Sequence, residues 1–248
     1  MSKILIIPDV HGRAFWKEAT EQYSSECDKI IFLGDMVDPY PDEGITRKQA
    51  IRTLEEVIEF KLNNRDKTVL LLGNHGAHYL IKGFVRSTRY DSSNAYKIRE
   101  LYIQHKHIFK LAHEEIVNDK KYLFTHAGLM NSWVNRNKNV VGEPTVKSLN
   151  SLINISIGIS ALSELSKYRS WFGEETGSIL WSDLVEKIDD KSTIDNIIPN
   201  EDSIVDGYDY QVFGHTQLND KPIITNKWAC LDCRKAFILN ENEEFIQC

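Results

Sequence analysis

The sequence has no long hydrophobic run, no surplus of positive charge, few cysteines, no internal repeat and no low-complexity segment. No apolar run approaches the roughly 20 residues a membrane-spanning helix needs, so no membrane partner is expected. The Ile4–Ile7 run is shorter than the ~7–15-residue core of a secretory signal, and the cytoplasm is the expected location. Lys and Arg total 30 against 36 Asp and Glu, a formal net charge of −6. Long nucleic acids are held by basic faces, so none is expected here, although a local basic pocket is compatible with this balance. The cysteines are Cys27, Cys230, Cys233 and Cys248. Cys230 and Cys233 have CxxC spacing, but a zinc site would need a second ligand pair that the other two do not supply. The alternation in "WACLDCRKAFIL" reads instead as a strand with both thiols acting as small hydrophobes.

What is present is an ordinary globular composition, 42% hydrophobic and 27% charged over 248 residues. That length buries a sizeable core, and one domain over residues 1–248 is expected. Compact apolar runs recur at Lys3–Ile7, Lys29–Leu33, Thr68–Leu72, Tyr122–Thr125 and Tyr210–Phe213. Runs without alternation predict strands buried on both faces, hence a layered α/β fold. Between them, Thr46-Arg-Lys-Gln49 is a capping-box pattern followed by Ile51, Leu54, Val57, Ile58 and Leu62 at helical spacing. A second helix is predicted over 93–104. A third pattern covers about 145–168, weakened by isoleucine and serine and open to a break. The runs 222–225, 228–231 and 236–239 predict an antiparallel meander.

The informative residues stand at the strand exits. The first strand ends in Asp9-Val-His11-Gly12, the second in Gly34-Asp35-Met-Val-Asp38, the third in Gly73-Asn74-His75, the fourth in His126 and the last in Gly214-His215. Four of the eight histidines are at these exits. Ligands of open α/β sheets bind beyond the carboxyl ends of the strands.

This ordered set (DxH, GDxxD, GNH, a lone His, then GH) resembles the calcineurin-like metallophosphoesterases. Within them, "FTHAGL" (124–129), "ILWSDL" (179–184) and "VFGHTQL" (212–218) resemble the branch of serine/threonine phosphatases and symmetrical diadenosine tetraphosphatases. The resemblance spans residues 3 to about 240 as spaced motifs. It implies a four-layer α/β/β/α sandwich with two central mixed sheets. It also implies two divalent metal ions, with Asp9 and His11 on one, Asn74, His126 and His215 on the other, and Asp35 bridging. These O and N donors suit Mn²⁺ first, with Fe or Zn²⁺ as alternatives. Two such ions roughly 3.5–4 Å apart lower the pKa of a shared water, aim it at phosphorus and neutralise the phosphoryl oxygens. By the same resemblance His75 is the general acid for the leaving oxygen and Asp38 orients its imidazole. The plainer reading of Asp38 is a cap on the turn before Pro39.

The departures bear on substrate binding. The branch carries Arg after GDxxD, where this chain has Pro39, and an acidic residue after GNH, where it has Gly76. Gln217 replaces the second His of the wider superfamily's GHxH. Arg13, Arg86 and Arg89 are the candidate replacements for the phosphate-gripping cation, although each alone reads as a solvated surface residue. His78 reads as a polar helix face, His105 and His107 as a solvated helix end, and Trp133, Trp171, Trp181 and Trp228 as core or pocket wall. Residues 130–175 are the candidate insertion for substrate choice. The implied function is a metal-dependent phosphoesterase acting on a phosphoprotein or a nucleotide, as a phosphomonoesterase or a dinucleoside polyphosphate hydrolase. A phosphodiesterase or nuclease, and a non-catalytic metal-binding scaffold, are the alternatives.

Overall fold

The computed structural model describes residues 3–166, 170, 172–174, 176–182, 185–186, 196–197, 203 and 205–248. Tyr168, Trp171, and Asp183 and Leu184 of "ILWSDL" lie outside these residues. In chain order the strands are β1 (Ile4–Ile7), β2 (Lys29–Phe32), β3 (Thr68–Leu71), β4 (Phe109–Lys110), β5 (Ala112–Val117) and β6 (Lys120–Thr125). Next come β7 (Val185–Glu186), β8 (Asn196–Ile197), β9 (Tyr210–Phe213), β10 (Ile223–Ile224), β11 (Trp228–Cys230), β12 (Phe237–Leu239) and β13 (Phe245–Gln247). The helices are α1 (Phe15–Tyr23), α2 (Arg47–Asn63), α3 (Asn74–Leu80) and α4 (Ala95–Gln104), then α5 (Asn131–Arg136), α6 (Lys138–Val141), α7 (Val146–Ser151) and α8 (Ser156–Leu162). Two compact units result, Met1–Lys110 with Arg234–Cys248, and Leu111–Cys233.

The first unit is built on a mixed sheet of order β13-β12-β1-β2-β3-β4. β1 to β4 run parallel, with Ile7 opposite Phe32 and Phe32 opposite Leu70. Every residue of β1 and β3 is buried, as the unalternating runs require. α2 starts where the sequence predicts. Thr46 Oγ1 accepts the Gln49 N–H at 3.2 Å, and Gln49 Oε1 accepts the Thr46 N–H at 2.8 Å. Such a cap is worth about 1 kcal/mol. Ile51, Leu54, Val57 and Ile58 form the buried face.

The second unit has a mixed sheet of order β10-β11-β9-β6-β5, with a separate β7-β8 ladder. β5 and β6 form a hairpin whose turn residues, Asn118 and Asp119, both have positive φ, the conformation a tight two-residue turn demands. β6 and β9 are parallel neighbours. The expected α/β class with two mixed sheets is present, one sheet in each unit.

Two elements differ from expectation. The 145–168 pattern does break: α7, capped by Thr145, stops at Ser151, a 3₁₀ turn covers Leu152–Asn154, and α8 comes after it. A Cβ on Gly158 would lie 2.4 Å from the Leu152 carbonyl oxygen, so only glycine lets α8 pack against that turn. The C-terminal runs are not one meander. β10 and β11 pair antiparallel in the second unit, while β12 lies between β1 and β13 in the first unit's sheet. All three β12 residues are buried, which a two-sided central position supplies and an edge of a meander does not.

Candidate metal centre

Because β1, β2 and β3 are adjacent and parallel, their carboxyl ends deliver DVH, GDMVD and GNH to one edge of the first unit. The backbone ties these exits together: the Asp35 carbonyl accepts the His11 N–H at 2.7 Å, and the Met36 carbonyl accepts the Gly12 N–H at 3.0 Å. Gly73 is dictated by close approach, since a Cβ there would lie 2.1 Å from Asp35 Oδ1. Asp9, His11, Asp35, Asp38, Asn74 and His75 are all buried. His11, Asp35 and Asp38 have φ of 46°, 47° and 60°. Left-handed backbone costs free energy at non-glycine residues and concentrates at functional sites.

Proton positions are set by partners that can only donate or only accept. His11 Nδ1 lies 2.7 Å from the Val37 carbonyl, so it carries the hydrogen and Nε2 the lone pair. That Nε2 is 3.7 Å from Asp35 Oδ2 and 3.9 Å from Asp9 Oδ2. Burial, ahead of the opposing pull of Asp35, holds the His11 pKa well below the ordinary histidine value. Asp35 Oδ1 also accepts the His75 N–H at 2.9 Å. Ligand atoms of His11, Asp35 and His75 lie within 4.8 Å of one another.

Asp38 accepts two hydrogen bonds and has a third N–H close by. Its Oδ2 is 2.8 Å from His75 Nδ1 and 2.9 Å from His78 Nε2, and its Oδ1 accepts the Tyr79 hydroxyl at 2.6 Å. The His78 N–H points off the line to Oδ2, so this contact acts through proximity rather than as a straight hydrogen bond. Tyr79 Oη in turn accepts the Asp91 N–H at 2.7 Å, which commits the phenolic hydrogen to Asp38. Burial pushes the Asp38 carboxyl pKa up, but His75, His78 and Tyr79 outweigh it and leave it below the usual value. Burial, then the charge of Asp38, pushes the Tyr79 phenol well above its usual range.

His78 is the residue the sequence reading missed. It is buried and faces Asp38 instead of presenting a polar helix face to solvent. The available signal was its place on α3, one turn beyond Asn74 and His75.

The three arginines separate clearly. Arg13 is forked onto Glu43 (2.9 and 2.7 Å) and also donates to the Asp9 carbonyl. Arg86 is exposed, with its guanidinium 4.5 Å from the Tyr90 ring centroid. Arg89 lies over the Tyr40 ring at 3.6 Å and donates Nε–H to the Asp38 carbonyl at 2.9 Å. Its Nη2 is 3.2 Å from both His11 Nε2 and His75 Nε2. A cleft of ≈330 Å³, lined by Asp38, Pro39, Tyr40, Ile45, Ile51 and Arg89 among others, opens beside it.

In the second unit the parallel pairing of β6 and β9 brings His126 and His215 together, with the His126 carbonyl accepting the Gly214 N–H at 2.8 Å. His126 Nε2 and His215 Nδ1 are 3.1 Å apart, and His215 has a φ of 66°. Trp181 of the "ILWSDL" segment meets the His215 ring edge-on at 5.9 Å. Cys230 is buried, its thiol reaching the Gly214 and Thr216 carbonyls, the packing role expected of it. Trp133, Trp181 and Trp228 are buried as well.

A family model described as calcineurin-like phosphoesterase matches residues 2–218. The chain belongs to this family. It is therefore a phosphoester hydrolase of a family that works with two metal ions. Among solved structures, a cold-active protein-tyrosine phosphatase of a psychrophile Shewanella sp. aligns with 100% of this chain and 77% of its own, at 16% identity and a TM-score of 0.58. A Saccharomyces cerevisiae protein serine/threonine phosphatase aligns with 100% of this chain and 79% of its own, at 14% identity and a TM-score of 0.53. Both are likenesses of fold. No curated protein matches the sequence. Among the described residues, no helix is long and apolar enough to cross a membrane.

Proposed function

We propose that this calcineurin-like phosphoesterase is a phosphomonoesterase dependent on two divalent ions, Mn²⁺ first and Fe or Zn²⁺ as alternatives. The observation that carries the reading is the Asp38–His75 pair at 2.8 Å, with His75 Nε2 facing the same guanidinium as His11 Nε2. The donor set fits cations: buried carboxylates and an imidazole whose Nε2 keeps its lone pair already accommodate the positive charge of Arg89 between two ring nitrogens. Asp9 and His11 would hold one ion, Asn74, His126 and His215 the other, and Asp35 both, as the family resemblance assigns them. When bound, the pair activates the attacking water and neutralises charge on the phosphoryl oxygens.

The chain's own residues supply the rest. Arg89 grips the phosphoryl group, taking the place of the arginine that Pro39 displaces; Arg13 is occupied by Glu43 and Arg86 stands on the surface. With Arg89 turned from the ring to the phosphoryl group, His75 Nε2 takes up a proton from solvent, and as the P–O bond breaks it gives that proton to the leaving oxygen. The Asp38 carboxylate fixes the ring through Nδ1 and balances the charge of the imidazolium. The cleft beside Arg89 receives the leaving group, and its apolar and aromatic walls favour a phosphorylated side chain or a nucleotide over an extended polynucleotide. The proposed location is the cytoplasm, and the proposed role of residues 130–175 is substrate choice.

The test is hydrolysis of p-nitrophenyl phosphate and bis-p-nitrophenyl phosphate by one metal-analysed preparation with Mn²⁺, Fe²⁺ or Zn²⁺. The expected result is monoester turnover that chelation abolishes. Equal turnover of the diester would make the protein a phosphodiesterase, and binding of two ions without turnover of either would make it a scaffold.

A further inference from the structure

A buried polar chain links Asn74 to the Asp38–His75 pair, and its hydrogens can be placed one by one. His78 Nδ1 lies 3.1 Å from the Ser87 backbone N–H, which can only donate, so Nδ1 is an acceptor and the ring hydrogen sits on Nε2, beside Asp38. Ser87 Oγ is 3.0 Å from the same Nδ1 and must therefore give it its single hydroxyl hydrogen. The lone pair of that Oγ is left to accept, and it takes an Asn74 Nδ2–H at 3.2 Å. The carboxamide is thereby oriented: its nitrogen is turned to Ser87, and its oxygen, the atom a metal would take, is on the opposite arm. His78 and Ser87 are both buried, and neither belongs to the strand-end motifs.

We propose that Ser87 and His78 are positioning residues of the catalytic centre, setting the orientation of Asn74 toward its metal ion and holding Asp38 against His75. This rests on the function proposed above and adds residues to it. Groups that orient a ligand from behind commonly contribute about 10–100-fold in metal affinity. A buried carboxylate with a fixed set of donors also positions its imidazole more tightly than one with a single partner.

The experiment uses the full chain and four variants, His75→Asn serving as the reference for a lost proton donor. Free Mn²⁺ measured by electron paramagnetic resonance gives binding at each site, and hydrolysis of aryl phosphates of graded leaving-group pKa reads the proton donor. Ser87→Ala is expected to weaken one of two Mn²⁺ sites by about 10–100-fold while the other keeps its affinity. His78→Leu, assayed at saturating Mn²⁺, is expected to steepen the dependence of kcat on leaving-group pKa toward that of His75→Asn. His78→Gln, which keeps an acceptor and an N–H donor, is expected to restore the wild-type slope. A merely structural role would change none of these slopes. Wild-type Mn²⁺ affinity at both sites in Ser87→Ala overturns the role of Ser87, and a wild-type slope in His78→Leu overturns that of His78. A wild-type chain that binds no Mn²⁺ at all overturns the parent reading instead, which separates the two failures.

Discussion

Tyr79→Phe is a single-atom test of the Asp38 network. The phenolic oxygen is buried, donates to Asp38 Oδ1 at 2.6 Å and accepts the Asp91 N–H at 2.7 Å. Deleting it removes one hydrogen bond to a charged group, about 1.5–3 kcal/mol, and strands a backbone N–H, about 1–3 kcal/mol. Allowing for local relaxation, the expected loss is about 3 kcal/mol. In a chain of this length each kcal/mol moves Tm by about 2–4 °C, so Tm should fall by about 6–12 °C. His75 and His78 still contact Asp38 in the variant, so kcat should fall less than in His75→Asn, and Mn²⁺ content should not change. Differential scanning calorimetry of metal-stripped protein at about pH 7.5, above the ordinary histidine range, measures the first effect, and turnover at saturating Mn²⁺ the second. A Tm within about 1 °C of wild type, well short of that shift, would refute the view that Asp38 depends on this donor.

Other outcomes rest on the same geometry. Arg89→Ala is expected to lower kcat by about 10²–10³-fold, the usual cost of one preorganised donor, whereas Arg13→Ala should lower Tm and leave KM unchanged, because the Arg13 fork holds Glu43. Gly73→Ala should abolish Mn²⁺ binding, since its Cβ would displace Asp35 Oδ1; retention of both ions would contradict that packing. Burial depresses the pKa of His11 and of His78, so below about pH 6.5 the unfolded chain binds more protons than the folded one. The stabilisation present above that pH should be lost as the pH falls, read as a lower urea midpoint for metal-stripped protein at about pH 5.5 than at about 7.5. His78→Gln should flatten that dependence.

Local signals were legible because they are written in neighbouring residues. Thr46 and Gln49 announce the start of α2 three positions apart, and the unalternating runs announce strands covered on both faces. The strand-end carboxylates and imidazoles are legible for the same reason, since parallel order alone brings Asp9, Asp35 and Asn74 to one edge. What escaped depends on pairing at a distance. β12 reads like one more strand of a meander until β1 is seen to need a partner on its other side. Arg13 reads like a candidate anion binder until Glu43, thirty positions on, is found in its fork. His78 looks solvent-facing on a helical wheel because the carboxylate it meets is forty residues earlier in the chain.

The division of labour among the acids comes from where the only-donating and only-accepting groups stand. Asp38 faces three protein hydrogens, from His75, His78 and Tyr79, and the last is fixed by a backbone amide behind it. A carboxylate so provided for is poorly suited to bind a cation and well suited to hold an imidazole. His11 is the reverse case: the Val37 carbonyl takes its Nδ1–H and turns the Nε2 lone pair toward Asp9 and Asp35. Arg89 can reach both His11 Nε2 and His75 Nε2 only because each ring carries its hydrogen on Nδ1, one against a carbonyl and the other against Asp38. The two imidazoles thus present like atoms to one positive group while differing in what stands behind them. A neutral carbonyl behind His11 suits a ligand that must keep its lone pair. A carboxylate behind His75 suits a ring that must carry, and give up, a proton.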